Sequence, residues 1–227
     1  MKKKLVWDVP VRLFHWLLVL CIFGQWFTAE VLEDAMDIHF YIGYFTLGLI
    51  IFRLIWGFVG TKYARFSSFI AGPKTMLGYV RNLISKQHTF TIGHNSVGGL
   101  ILPAIILLVG LQAISGLFTS DDVIYSGPYY DSASTEIQQY MQWLHHNIFD
   151  LLLMIIGLHL LAIFWYLVGL KHNLIGPMIH GKKVVSENDS IGHSQILKAI
   201  LLICIVAIFV YWLVEINPPP IEDGYYY

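Results

Sequence analysis

The chain has 227 residues, 56% of them hydrophobic and 13% charged, with a formal net charge of -1. Soluble domains carry about 45–50% apolar and about 25% charged residues. So few charges cannot cover a soluble domain of this size, which excludes a cytosolic globular enzyme, a disordered chain and a nucleic-acid binder. The two cysteines, Cys21 and Cys204, lie inside apolar runs, and Cys-x-x-Cys-His does not occur. Neither a disulfide framework nor a thioether-linked cofactor is therefore available.

A membrane-spanning helix needs about 20 mostly apolar residues. Five stretches predict one: Leu13–Thr28, Ile38–Val59, Val97–Phe118, Leu144–Val168 and Ile196–Ile216. The first follows Lys2-Lys3-Lys4 as a signal peptide would. It carries Arg12, His15 and Gln25, however, and Thr28-Ala29-Glu30 is a poor cleavage site, so it reads as a retained helix. Between the second and third stretches, Pro73 fits a first helical turn, and Met76, Leu77, Val80 and Ile84 recur at helical spacing. That segment reads as a short helix, either lying on the membrane surface or packed on the bundle. Pro103 is expected to kink the third helix. Pro218-Pro219-Pro220 cannot continue the fifth, and Tyr225-Tyr226-Tyr227 suits an interfacial belt.

Lys and Arg set the orientation. Lys2, Lys3, Lys4 and Arg12 precede or open helix 1. Lys62, Arg65, Lys74, Arg81 and Lys86 fill the loop after helix 2, and Lys171, Lys182 and Lys183 follow helix 4. The alternate loops and tail carry no Lys or Arg but hold eleven acids, among them Glu30, Asp121, Asp122, Asp131, Glu136 and Glu215. The amino terminus is accordingly expected in the cytoplasm and the carboxyl terminus in the periplasm.

Ten histidines are many for this composition, and ionisable groups inside a membrane are functional candidates by default. His145 and His159 are 14 residues apart. Fourteen helical steps end about 40° short of four turns, so the two rings share a face about 21 Å apart along the axis. His146 lies about 140° off that alignment with His159. It is four residues from Asp150, within pairing reach on one helix face. His39 matches the level of His145, and His15 lies nearer the level of His159. Two histidine pairs at two depths suit two stacked haems with bis-His iron, held between facing helices. Each histidine taken singly could also be a hydrogen-bonded packing residue. No His-Glu-x-x-His zinc motif and no Glu-x-x-His di-iron pair occurs.

These residues resemble the bacterial cytochrome b561 and nickel-iron hydrogenase b-type cytochrome subunit family. The resemblance covers residues 5 to about 183. It rests on Val6-Trp7-Asp8-Val9-Pro10-Val11-Arg12-Leu13-Phe14-His15-Trp16, on His39 with Gly43, and on Arg53-Leu54-Ile55-Trp56-Gly57-Phe58-Val59-Gly60. It continues through Tyr63-Ala64-Arg65-Phe66, Gly72-Pro73, Gly93-His94-Asn95, the His145/His159 pair and Asn173 to Lys183. It implies an all-α integral membrane protein of the bacterial inner membrane. Residues 1–183 would form a four-helix haem-binding bundle, and residues 184–227 a linker, a fifth transmembrane helix and an acidic tail. It implies two haem b groups, the cytoplasmic-side one on His15 and His159 and the outer one on His39 and His145. His94 and Asn95 would lie at a quinone site beside the inner haem, or His94 would simply face headgroups. Arg12 and Arg53 would meet haem propionates or reach to the headgroups. The expected function is electron transfer between membrane quinone and a periplasmic partner, either a basic c-type cytochrome or a redox enzyme subunit. A proton or ion transporter and a membrane anchor are the competing readings.

Overall fold

The computed structural model describes residues 2–70, 72, 74, 75, 77, 78, 81, 92, 93, 98–121 and 123–220. Five helices are long and apolar enough to cross a membrane. They are α1 (Val9–Glu30), α2 (Met36–Val59), α3 (Gly98–Gly116), α4 (Thr135–Phe164) and α6 (Ile196–Tyr211). Single π-helical turns, Trp165–Gly169 and Trp212–Ile216, prolong α4 and α6. The predicted loop helix after Pro73 falls largely outside the described residues, as do His94, Asn95, Asp122 and the tail from residue 221.

α1 begins at Val9, four residues before the predicted start. The Asp8 side chain caps it, and Pro10 supplies the preset φ of a first turn. α4 begins at Thr135 rather than Leu144, and with its π turn it runs 35 residues. That is about 52 Å of helix against a hydrocarbon core of about 30 Å, so its first turns project beyond the apolar layer. Those turns carry Gln138, Gln139 and Gln142, with Glu136 favourably placed in the first turn. Hydropathy sees only the buried part of such a helix.

Helix packing runs from α1 to α2, from α2 to α3 and from α3 to α4, while α6 lies behind α2 and touches α1. Gly48 of α2 lets Val206 and Val210 of α6 approach closely. Among the described residues α1 and α4 are not closely packed on each other, so a groove separates them. Large side chains such as Leu20, Phe45, Phe58, Leu107, Leu161 and Ile208 face outward, as they do when the solvent is lipid.

The amino-terminal end of the bundle carries a folded cap that the sequence did not announce. β1 (Lys2–Leu5) pairs antiparallel with β2 (Lys182–Val185), with Lys4 opposite Lys183. Three consecutive lysines give no apolar alternation, which hides the strand. The pairing places the amino terminus and the segment after α4 at one end of the bundle, as four intervening spans require. Gly181 closes α5 (Ile175–His180) with φ +80° and accepts the Val6 and Trp7 N–H groups on its carbonyl. A Cβ there would lie 2.7 Å from the Trp7 carbonyl oxygen. Lys183 Nζ donates to the Ile92 carbonyl at 2.7 Å, and Tyr63 Oη to that of Asp189 at 2.8 Å. At the opposite end Tyr129 Oη donates to the Leu213 carbonyl at 2.7 Å, fastening α6 to the loop after α3.

Asp8 is 1% exposed. One carboxylate oxygen accepts the Val11 N–H at 2.7 Å. The other accepts Trp56 Nε1–H at 3.1 Å and the Thr61 hydroxyl at 2.5 Å. Trp56, fully buried, is therefore a structural donor. Asp8→Ala removes the cap and leaves two buried donors without an acceptor. It should destabilise the protein by about 2–4 kcal/mol, read as a lower thermal midpoint in detergent, with Asp8→Asn losing less.

Candidate functional site: paired histidines in the bundle

Two histidines meet at the end of the bundle opposite the cap. His39 of α2 and His145 of α4 have ring centroids 6.3 Å apart and planes at 72°. His39 Nδ1 lies 3.2 Å from the Gln25 carbonyl and 3.2 Å from Thr28 Oγ1. His145 Nδ1 lies 3.0 Å from the Gln112 carbonyl and 3.1 Å from Ser115 Oγ. Carbonyl oxygens only accept, so this network assigns the proton of each ring to Nδ1. Thr28 and Ser115 spend their own hydroxyl protons on the carbonyls of Gly24 and Gln112. Each Nε2 is left with its lone pair. A Nδ1–H held by a backbone carbonyl is the outer support that fixes the tautomer and ring orientation of a metal-ligating histidine.

Both rings line a cavity of about 690 Å³ between α1, α2, α3 and α4, within the range of small-molecule and cofactor sites. Gly43 and Gly116 also line it. A Cβ on Gly43 would lie 3.1 Å from Gln25 Nε2, and one on Gly116 3.1 Å from His145 Cε1. Gln25 Oε1 and Gln112 Oε1 are buried without a hydrogen-bond partner among the described residues. The lining includes Glu30, Asp121 and Asp150 and, among the described residues, no Lys or Arg. Asp121 Oδ1 accepts the N–H groups of Val123, Ile124 and Tyr125. These bonds, that of Val123 foremost, hold its carboxyl below the usual carboxylate range.

The second pair lies toward the cap. His15 of α1 and His159 of α4 are within electrostatic reach of each other across the groove. His15 stands edge-on to Trp16 at 4.9 Å, and its Nδ1 is buried without a partner among the described residues. His145 and His159 stand on one uninterrupted α-helix, so the two levels are about 21 Å apart.

Of the two predicted arginines, Arg12 is committed to the backbone: Nη1 donates to the Ile179 carbonyl and Nε to that of Asp8. Arg53 is 1% exposed, and neither Nη1 nor Nη2 has a partner among the described residues. His146 lines the mouth of the cavity, but its Nδ1 bonds the Gln142 carbonyl at 2.8 Å on its own helix. Its observed anchor is thus that carbonyl rather than Asp150. The sequence reading missed Asp8, whose Asp-x-Pro cap was legible, and Thr28 and Ser115, for which no sequence signal exists.

An apolar bundle with imidazoles facing one another across its interior defines a class: membrane-embedded b-type cytochromes. The chain belongs to the prokaryotic cytochrome b561 family, whose family model matches residues 6–181. No curated protein and no solved structure matches the chain significantly. Membership makes it a multi-pass membrane cytochrome that binds b-type haem and carries electrons. The residues present fit that group, with bare Nε2 atoms on a glycine-edged cavity and buried polar groups still short of partners. Gly43→Leu should fill the space beside Gln25 and lower haem bound per chain, measured as the pyridine haemochrome. Gly157→Ala, where nothing lies within 4 Å of the new Cβ, should leave haem content unchanged.

Proposed function

We propose that the protein is a di-haem cytochrome that passes electrons between membrane quinone and a periplasmic redox partner. The observation that carries the reading is the His39/His145 pair, with both Nδ1 atoms held by carbonyls and both residues lining one cavity. These two side chains hold the outer haem, and His15 and His159 hold the inner one. Each haem supplies a one-electron iron couple. The bundle's part is to fix the imidazoles, keep water out and set the two levels about 21 Å apart. The lysine-rich cap lies on the cytoplasmic side, in keeping with the distribution of Lys and Arg. His94 and Asn95 meet quinone beside the inner haem. This role rests on the family resemblance of Gly93-His94-Asn95, and quinone oxidoreductase activity would reside there.

The test is haem content with spectral resolution of the two groups. His39→Ala and His145→Ala should each remove the same haem, while His15→Ala and His159→Ala should each remove the other. Full haem content after His145→Ala would sink the assignment, as would an equal loss after His146→Ala.

The periplasmic partner is basic, either a small c-type cytochrome or a redox enzyme subunit with a basic docking face. Eleven acids on the outer loops and tail exceed what orientation requires, because acids contribute little to topology. Such a field steers a cationic partner. The Debye length shrinks from about 30 Å at 0.01 M salt to about 10 Å at 0.1 M. Electron transfer to a basic soluble cytochrome should therefore slow steeply over that range. Replacing Asp121, Asp122, Asp131 and Glu136 by Asn or Gln should flatten the salt dependence with both haems retained.

A further inference from the structure

Arg53 is a positive charge enclosed in the bundle with its fork unused. It lies 14 residues after His39 on α2, the spacing that separates His145 from His159 on α4. It therefore falls on nearly the same helix face as His39, about 21 Å along the axis toward the cap. Trp56, one turn further on, bonds Asp8, and His15 follows Asp8 by about two turns of α1. Arg53 accordingly sits between the level of the Asp8 knot and that of His15. Its guanidinium carbon is 5.9 Å from the centre of the Phe14 ring and 5.0 Å from that of Phe66. Phe66 is seated directly on Gly57, where a Cβ would come within 2.1 Å of its ring. Both rings lie against this buried guanidinium.

Asp8 is the carboxylate within electrostatic reach of Arg53. Its oxygens already accept Val11, Trp56 and Thr61. Nη1 and Nη2 of Arg53 thus remain without a partner among the described residues. A buried cation left unpaired is strongly unfavourable, and a guanidinium fork matches a carboxylate bidentately. Phe14, which packs on Arg53, precedes His15. The unpartnered fork thus lies between Asp8 and the level of the His15/His159 pair.

We propose that Arg53 binds a carboxylate of the group held by His15 and His159, a haem propionate, and that its charge makes this haem the higher-potential one of the two. The proposal rests on the di-haem reading above. Its electrostatic part follows from the contrast between the levels. The inner level holds a buried cation together with the one carboxylate in its reach, Asp8, whereas the outer cavity is lined by Glu30, Asp121 and Asp150 and, among the described residues, by no Lys or Arg. A nearby positive charge favours the reduced iron, and carboxylates favour the oxidised one.

The experiment is a redox titration of the full-length holoprotein in detergent, followed by haem absorbance, for wild type, Arg53→Gln, Arg53→Lys and Lys62→Gln. In wild type, the component lost in His159→Ala should be the one with the higher potential. Arg53→Gln should shift that component downward and leave the component lost in His39→Ala in place. Arg53→Lys, which keeps the charge and loses the fork, should hold the potential near wild type but release the haem faster to excess apomyoglobin. Lys62→Gln, which removes an exposed charge from the same end, should move neither component. Unchanged potentials in Arg53→Gln with both haems bound would overturn the proposal, as would a lower wild-type potential for the His159-dependent component. Should Arg53→Gln fail to fold, release from Arg53→Lys at the wild-type rate would overturn it. If His15→Ala and His159→Ala leave haem content intact, the di-haem reading itself fails. If they lose haem while the arginine variants behave as wild type, the arginine proposal alone fails.

Discussion

The amino-terminal half of the bundle is organised around one buried carboxylate. Asp8 caps α1 and accepts two side-chain donors from α2 and its following turn. That contact fixes the rotation and height of α1 against α2. His15 stands two turns into α1, and Arg53 one turn before Trp56 on α2, so both inherit their positions from it. The folded cap reinforces the same joint from outside. Ser194 Oγ accepts the Val9 N–H at 3.2 Å, and Gly181 receives Val6 and Trp7. A carboxylate is costly at such a depth unless its hydrogen bonds are met. Here they are met, which makes the joint specific as well as strong.

The same accounting separates histidines bonded within their own helix from those that line a shared cavity. A histidine that merely bridges helices uses its ring nitrogens on protein partners. His39 and His145 use only Nδ1 in this way, and both residues line one shared cavity. His146 uses Nδ1 on its own helix and is exposed. It neighbours His145 in sequence and lines the same cavity, yet it points elsewhere on the helix. The angular argument from sequence, which set His145 in line with His159 and His146 off that line, separates the two for this geometric reason.

What was legible in the sequence was whatever depends on composition and period. Five spans could be read because lipid demands a continuous apolar run, and the face shared by His145 and His159 because an α-helix has a fixed turn. The start of α4 was not legible, because its first nine residues lie beyond the apolar layer and carry no hydropathy signal. Nor was the β1–β2 sheet, since Lys2-Lys3-Lys4 reads as a topology signal and conceals a strand that pairs with residues far along the chain. Thr28 and Ser115 support the outer histidines through contacts that only the packing of α1 on α2 and of α3 on α4 creates. The arginines show the limit of reading by residue type. Arg12 and Arg53 look equivalent in sequence, and packing makes the first a backbone clasp and the second a buried charge whose Nη1 and Nη2 have no hydrogen-bond partner among the described residues.

The two histidine levels depend on different joints. His39 and His145 are set by α1, α2 and α3, through the carbonyls of Gln25 and Gln112 and the close approach at Gly116. His15 is set by the Asp8 joint, and His159 by how far α4, leaving α3, carries it across the groove. α4 is the least embedded of the spans: 6% of its most apolar window is buried, against 39% for α2. Its packing partner is α3, and α1 is not closely packed against it. α6 closes the far side of the bundle by packing on α2 and leaves the α1–α4 groove alone. Helix contacts thus run from α1 through α2 and α3 to α4, and the α1–α4 seam, which His15 and His159 flank, is the sparsely packed one among the described residues. A planar cofactor shared by His15 and His159, as proposed above, would give α4 a second contact beside its extensive packing on α3. The outer imidazoles are fixed by their Nδ1 anchors, whereas His15 Nδ1 has no such anchor among the described residues.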